Sequence, residues 1–228
     1  MCDNEVSMNR LNVFTGHFGS GKTEIAINYA KKLKQEGIEK VTLVDLDIVN
    51  PYFCSREFTE ELGELGIRVI SQGVHLSNAE LMVVTPEVLS AFNQKDHTVI
   101  FDVGGDDMGA LALGQYNRFF KEEAYDMFFV INANRPLTSN LEKAGEYLDA
   151  VEVTSRLKVT RLVNNTNMSY ETQLVDIQSG DRITRGLSEK RGIPLAFTAV
   201  RRDLVAAAKE VIQGDILPVD IYMKPPWR

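Results

Sequence analysis

The sequence predicts an α/β fold, a doubly wound and mostly parallel sheet with helices on both faces. Three observations carry this. Runs rich in β-branched and aromatic residues alternate with helical stretches, giving a β-α-β order throughout. Most of those runs lack the strict apolar-polar alternation of a half-exposed sheet, and strands apolar on both faces belong to the interior of a parallel one. The chain has 228 residues, 44% of them hydrophobic, which suits one large α/β domain with a sizeable core. Such a fold places ligands at the carboxyl ends of its strands.

In chain order, the first strand is LNVFT, Leu11–Thr15, and the helix Lys22–Gln35 follows it. KVTLVD (40–45) and IRVI (67–70) are the next strands, both dominated by branched apolar residues. Helix Pro86–Asn93 leads into the strand HTVIFDV (97–103), and the aromatic-rich strand DMFFVINA (126–133) comes next. Helix Thr138–Leu157, strand KVTRLVNN (158–165), helix Arg182–Lys190, strand IPLAFTA (193–199) and helix Asp203–Gln213 complete the alternation. The tail LPVDIYMKPPWR is proline-rich and carries the only tryptophan, which is expected to pack on the domain. No internal repeat, low-complexity tract or long linker interrupts the pattern, so residues 1–228 are read as one domain.

Charge and cysteine usage exclude several function classes. The net charge of −7 argues against a broad electrostatic footprint for nucleic acid or an anionic membrane. Cys2 and Cys54 have neither a CxxC spacing nor a histidine cluster beside them, so no disulfide framework or structural zinc site is suggested, and a reduced, cytoplasmic protein is expected. No apolar run reaches the roughly 18 residues of a membrane span, and the polar start MCDNEVSMNR lacks the hydrophobic region of a signal peptide. His75 and His97 have no second ligand at a useful spacing and are expected to be structural or solvated.

The stretch GHFGSGKT, from Gly16, satisfies G-x-x-x-x-G-K-S/T and stands between a strand and a helix, as the mechanism of a phosphate-binding loop requires. Its glycines allow a tight turn whose successive N–H groups form an anion nest at the positive end of a helix dipole. Lys22 reaches the β and γ phosphates, and the Thr23 hydroxyl takes a position on Mg²⁺. The nucleotide-binding stretch therefore comprises Gly16, His17, Phe18, Gly19, Ser20, Gly21, Lys22, Thr23 and Glu24. This narrows the expected fold to a P-loop NTPase.

Acidic residues end two of the strands. Asp102 closes an apolar strand before VGGDD, in the manner of a Walker B segment, and is expected to hold Mg²⁺ through water. Gly104 and Gly105 then let the backbone approach the γ phosphate, where a glycine N–H reports whether that phosphate is present. Asp106 and Asp107 are read equally well as solvated loop acids. In TLVDLDIVNPYF, Asp45 and Asp47 face one side if the strand continues, so that one braces Mg²⁺ or Lys22 while the other orients the attacking water. A turn closed by Asn50-Pro51, with the aspartates as turn formers, is the alternative.

With these three segments the chain resembles the MinD, ParA and CobQ-like nucleotide-binding family of P-loop ATPases. The resemblance implies binding of ATP and Mg²⁺, slow hydrolysis, and nucleotide-dependent contact with another protein. It places Asp47 as the water-orienting aspartate and Asp102 as the Walker B acid. It also implies that an asparagine after a late strand meets the base, and RLVNNTN offers Asn164 and Asn165, whose amides present both a donor and an acceptor to a purine edge. One feature departs from the family. Many members carry a second lysine directly after the first glycine of the loop, which reaches the nucleotide of a partner protomer, whereas this chain has His17. A nucleotide-dependent homodimer is therefore an expectation that lacks its usual cation, and Arg56, beyond the strand carrying Asp47, is the candidate replacement within the chain.

Two function classes follow. The first is a regulatory or assembly ATPase whose nucleotide state alters the loops after Asp47 and Asp102, and with them its affinity for a protein partner. The second is a small-molecule kinase or ATP-dependent ligase of CobQ-like type, with DIVNPYFCSRE and SQGVHLSNAE lining an acceptor pocket. A GTPase is less favoured, because the N-K-x-D guanine motif is absent.

Overall fold

Consecutive apolar residues along the strands fill opposite layers of the protein. In a computed structural model that describes residues 9–47, 58–71, 85–105 and 107–223, Val99, Phe101 and Val103 join one core layer while Ile100, between them, joins the other. The next strand does the same, with Met127, Phe129 and Ile131 in the first layer and Phe128 and Val130 in the second. This accounts for the missing alternation: each strand has two dry faces.

The elements are β1 (Leu11–Thr15), α1 (Lys22–Gln35), β2 (Val41–Asp45), α2 (Thr59–Glu64), β3 (Ile67–Ser71), α3 (Pro86–Asn93), β4 (Thr98–Asp102), α4 (Asp107–Gln115), α5 (Asn117–Glu122), β5 (Tyr125–Ile131), α6 (Leu141–Ser155), β6 (Arg161–Asn164), α7 (Leu174–Arg191), β7 (Leu195–Arg201), α8 (Val205–Ala208) and β8 (Ile216–Val219). The strands form one eight-stranded sheet in the order β3-β2-β4-β1-β5-β6-β7-β8. Every pairing is parallel. Helix α1 covers one face through Ile25, Ile27, Tyr29 and Leu33, and Val88 and Phe92 of α3 with Leu148 and Val151 of α6 cover the other.

The connectivity decides where a ligand goes. From β1 the chain moves outward to β2 and β3, returns to β4 beside β1, and then builds β5 to β8 on the far side. The order of winding reverses at β1, and in open parallel sheets the crevice at such a reversal, outside the carboxyl ends of the strands, is the binding site. The residues there are the glycine loop after β1, Asp45 and Asp102.

The predicted strands are all present, and α1 and α3 have the predicted bounds. Helix α6 is shorter than Thr138–Leu157: a 3-10 turn, Pro136–Thr138, precedes it, and the Asn140 side chain caps its start by accepting from the Lys143 N–H at 2.9 Å. Helix α7 is much longer than Arg182–Lys190, because a capping box of Gln173 and Asp176 starts it early. The span Asp203–Gln213 is not one helix but a 3-10 turn, Arg202–Leu204, followed by the four-residue α8. The tail begins with an unpredicted strand, β8, in which Pro218 is tolerated because the strand lies at the sheet edge. Helices α2, α4 and α5 were not foreseen either. Cys2, Asn50-Pro51, Cys54, Arg56, His75, Asp106, Trp227 and most of the two suggested acceptor-pocket segments lie outside the described residues. Among the described residues no helix is long and apolar enough to cross a membrane.

Candidate functional site

The loop between β1 and α1 is held by donors from outside it. The Asn165 amide donates to the Ser20 carbonyl at 2.7 Å, and Nε of Arg135 to the Gly19 carbonyl at 3.0 Å. The His17 carbonyl accepts from the Ser20 N–H at 3.0 Å and from Nζ of Lys22 at 3.2 Å. Gly21, the residue before the helix, has φ +83°, and a Cβ there would stand 2.4 Å from Nδ2 of Asn165. Backbone conformation and close approach together require glycine at this position.

The two acids at the strand ends are brought together by register. Asp45 of β2 and Asp102 of β4 are paired positions on adjacent parallel strands, and both are buried. Neither oxygen of Asp102 makes a hydrogen bond of good geometry. Burial first, and then the nearby Asp45 carboxylate, push the Asp102 carboxyl up to about 8, against the pull of the Thr23 hydroxyl and Lys22. The strand ends at Asp45, and the Asp47 N–H folds back to donate to Oδ1 of Asp45 at 3.0 Å. The Leu46 N–H still donates to the Asp102 carbonyl at 2.8 Å, so the ladder to β4 runs one bond past the last residue of the strand. Asp47 reaches the cleft beside Gly104, whereas Asp45 stays against Asp102.

Gly105 is packed onto the glycine loop itself. A Cβ there would meet Nζ of Lys22 at 2.5 Å and the backbone nitrogen of Phe18 at 2.6 Å. Its carbonyl accepts from the Tyr147 hydroxyl of α6 at 2.9 Å, and the same Tyr147 ring meets the edge of His17 at 5.3 Å between centroids. Burial, followed by the charge of Lys22, lowers the His17 pKa, so the imidazole is neutral at pH 7. His97 hydrogen-bonds the Thr42 hydroxyl at 2.9 Å, away from this site.

These groups surround one end of a cleft of about 490 Å³. His17, Phe18, Gly19, Gly21, Lys22, Thr23, Glu24 and Asp47 line it, together with Asn165. Gly16, Ser20, Asp45, Asp102, Gly105 and Asn164 do not line it. Asn164 has its amide engaged elsewhere: Nδ2 donates to the Ile177 carbonyl at 3.1 Å and Oδ1 accepts from the Thr166 N–H at 3.1 Å, which fixes β6 against α7. Glu24 faces the cleft, but its carboxylate fastens the tail by accepting from the N–H groups of Tyr222 and Met223. Burial raises that carboxyl to about 7, and the two N–H donors oppose the rise.

Sequence reasoning missed Arg135, Tyr147, Asn167 and Arg201. Arg135, Asn167 and Arg201 line the cleft. The signal for Arg135 was present, since NRP follows the strand DMFFVINA at the carboxyl edge where this fold binds ligands. Tyr147 lies within a helix of ordinary amphipathic pattern, and nothing local marks it.

No protein-family model matches the chain, and no curated protein matches it by sequence. Solved structures do resemble it. FtsY, a cell division protein from Thermotoga maritima, has 19% identity over 85% of this chain and 63% of its own, with a TM-score of 0.58. FlhF complexed with GTP and Mg²⁺ has 15% identity over 84% of this chain and 65% of its own, with a TM-score of 0.55. A nucleotide-binding protein from Archaeoglobus fulgidus in complex with ADP has 18% identity over 88% of this chain and 86% of its own, with a TM-score of 0.50. The chain spans about three fifths of the length of the FtsY structures it matches. At these identities the likeness is one of fold, that of the P-loop NTPases, and the narrower resemblance to MinD, ParA and CobQ rests on the sequence motifs alone.

Proposed function

We propose that the cleft binds ATP with Mg²⁺, that the protein hydrolyses it slowly, and that it acts as a nucleotide-dependent switch or assembly factor for a protein partner. The observation that carries this reading is the packing of Gly105 against Lys22 and Phe18. A terminal phosphate held by Lys22 touches the Gly104-Gly105 segment as well, so the segment has a different set of contacts before and after hydrolysis. Tyr147, bonded to the Gly105 carbonyl, passes that difference to α6. Asp47 lines the cleft, which supports a role for it in orienting the attacking water and accepting its proton.

The residues fit a magnesium ion. Asp102 is an acid buried without a well-made hydrogen bond, beside the Thr23 hydroxyl, and its ionised form needs a nearby cation. No group of three or more His, Cys, Asp and Glu side chains among the described residues is arranged to hold a metal by itself. Mg²⁺ does not require one, since it is held by one or two carboxylates together with waters and phosphate oxygens. Thr23 and Asp102, with Asp45 behind, would hold it, and the ion supplies neutralisation of phosphate charge when bound.

Asn165 and Asn167, beside Gly21 of the glycine loop, line the cleft together with Thr166 and are the contacts proposed for the base, and the absence of N-K-x-D supports adenine over guanine. The structural neighbours solved with GTP and Mg²⁺, GDP and ADP support a nucleotide ligand while leaving the choice of base to this chain's own residues. Titration calorimetry with Mg-ATP and Mg-GTP tests the reading, and ATP is expected to bind more tightly. Failure of both to bind at millimolar concentration overturns it.

A further inference from the structure

Among the described residues the glycine loop brings little positive charge to the cleft. Asp47 lines the cleft, and a nucleoside triphosphate adds more negative charge. Lys22 is the only lysine or arginine in the Gly16–Glu24 stretch, and the neutral His17 adds nothing to it. Among the described residues two arginines line the cleft, Arg135 and Arg201. Arg201 is committed: its guanidinium grips both oxygens of Asp203, at 2.5 and 2.9 Å, and the carbonyls of Ser169 and Tyr170. Arg135 stands on the glycine loop, with Nε on the Gly19 carbonyl, and forms no ion pair with a carboxylate among the described residues.

Its mount is rigid. The Arg135 N–H donates to the Asn132 carbonyl at 3.0 Å, and the Arg135 carbonyl accepts from the Thr138 N–H at 3.1 Å. Pro136 fixes the next residue. Asn132, fully buried at the carboxyl end of β5, accepts from the Asn134 N–H through Oδ1 and donates from Nδ2 to the Asn167 carbonyl. The turn that presents Arg135 is thus tied to the Asn165 to Asn167 segment, which lines the cleft beside Gly21. A guanidinium whose Nε edge is held by a loop carbonyl has its Nη donors fixed in direction, and a fixed fork of donors suits phosphate oxygens.

We propose that Arg135 is a second phosphate-binding cation of this cleft, delivered from the end of β5 to the outside of the glycine loop, where it holds the phosphates beyond the first. This inference rests on the nucleotide reading above. It assigns to one chain a charge that the His17 loop lacks, so the phosphate site needs no cation from a second copy.

The test is a nucleotide series. Binding of AMP, ADP and ATP is measured by calorimetry at fixed Mg²⁺ and ionic strength for the wild-type protein, Arg135→Gln and Arg135→Lys. Arg135 is exposed, so both variants are expected to fold, and a thermal unfolding curve checks this. Arg135→Gln should weaken ATP binding about tenfold to a hundredfold, the loss of one charge-assisted hydrogen-bonded contact, and leave AMP unchanged. Arg135→Lys should recover part of the loss. If AMP, ADP and ATP weaken equally, Arg135 only braces the loop and the proposal is overturned; unchanged ATP affinity in Arg135→Gln overturns it as well. Failure of the wild-type protein to bind any of the three defeats the nucleotide reading itself, a result distinct from either.

Discussion

Asp45 and Asp102 occupy paired positions on neighbouring parallel strands, so that two buried carboxylates share the carboxyl edge of the sheet beside Lys22 and Thr23. Burial and the neighbouring Asp45 hold the Asp102 carboxyl up at about 8, so without a cation it must take up a proton at pH 7, and that costs stability. Asp102→Asn removes this cost and keeps the shape. In the absence of nucleotide and Mg²⁺, this variant should melt about 2–4 °C higher than wild type, the shift produced by about 1 kcal/mol in a domain of this size. It should also lose the extra stabilisation that Mg²⁺ gives to the nucleotide-bound protein. Scanning calorimetry with and without Mg-ATP checks both, and a variant that melts lower in the apo state contradicts the account.

Lys22 and Asp47 line the same cleft but act on different steps. Lys22→Ala removes a cation aimed at the bound phosphates and should weaken ATP binding by tenfold or more, on the order of one charge-assisted hydrogen bond. Asp47→Asn should leave ATP affinity within about twofold of wild type and lower turnover by about 10²- to 10⁴-fold, the usual contribution of a positioned base. Calorimetry and single-turnover hydrolysis separate the two effects. Wild-type turnover in Asp47→Asn would make this residue a turn former and nothing more.

The parts of this site that were legible in the sequence are those whose chemistry is local. The spacing of Gly16, Gly21, Lys22 and Thr23 marks a loop because the tight backbone turn and the groups that meet phosphate and metal lie within eight consecutive residues. Asp102 was legible because an apolar strand ends on it, and Gly105 because a glycine pair follows. What the sequence hid was contact between distant segments. Asn165 reaches back to Ser20, Glu24 captures the backbone of Tyr222 and Met223, and Arg135 stands on Gly19. None of these pairs follows from a period or a motif, since the strand order that brings them together is settled by packing. Strand β8 escaped notice because a proline inside ILPV argues against a central strand, and only the topology shows that this one is at the edge.

Away from the site, Glu123 supplies a pH-dependent share of stability. Nε of Arg10 donates to Oε1 at 2.5 Å and Nη2 to Oε2 at 2.8 Å, and Lys95 pairs with the same carboxylate. The hydrogen bond from Arg10 is the main reason that the Glu123 carboxyl is held at about 2, below its ordinary value of 4.5. A depressed folded-state value stabilises above the unfolded value, and the benefit fades as pH falls from about 4.5 toward 2. Glu123→Gln should therefore melt lower than wild type at pH 7, and the difference should shrink below pH 4.5 and vanish near pH 2. A gap that stays constant across that range would show that the ion pair contributes through packing alone. Arg10→Ala should be the more damaging change, because the same guanidinium also donates to the carbonyls of Ala91, Phe92, Gln94 and His97.

Gly105 offers the most direct test of how nucleotide state leaves the site. Its α-carbon has no room for a methyl group: the added atom would lie 2.5 Å from Nζ of Lys22, 2.6 Å from the Phe18 nitrogen and 2.7 Å from the Phe18 α-carbon. The lysine end can move aside, but the Phe18 backbone is part of a loop pinned by Asn165 and Arg135 and cannot. In Gly105→Ala the segment after β4 must therefore back away, at an overpacking cost of about 1–3 kcal/mol. Lys22 keeps its place, so the diphosphate should still bind. The contact between the segment and a terminal phosphate is what should be lost, together with its link to α6 through Tyr147. Hydrogen exchange reads this directly. In wild type, protection of the segment following Asp102 and of the first turns of α6 should differ between the ADP-bound protein and a complex with a non-hydrolysable ATP analogue, and in Gly105→Ala the two patterns should coincide. If the variant still distinguishes the two nucleotides there, the signal travels by another route and Gly105 is only a packing glycine.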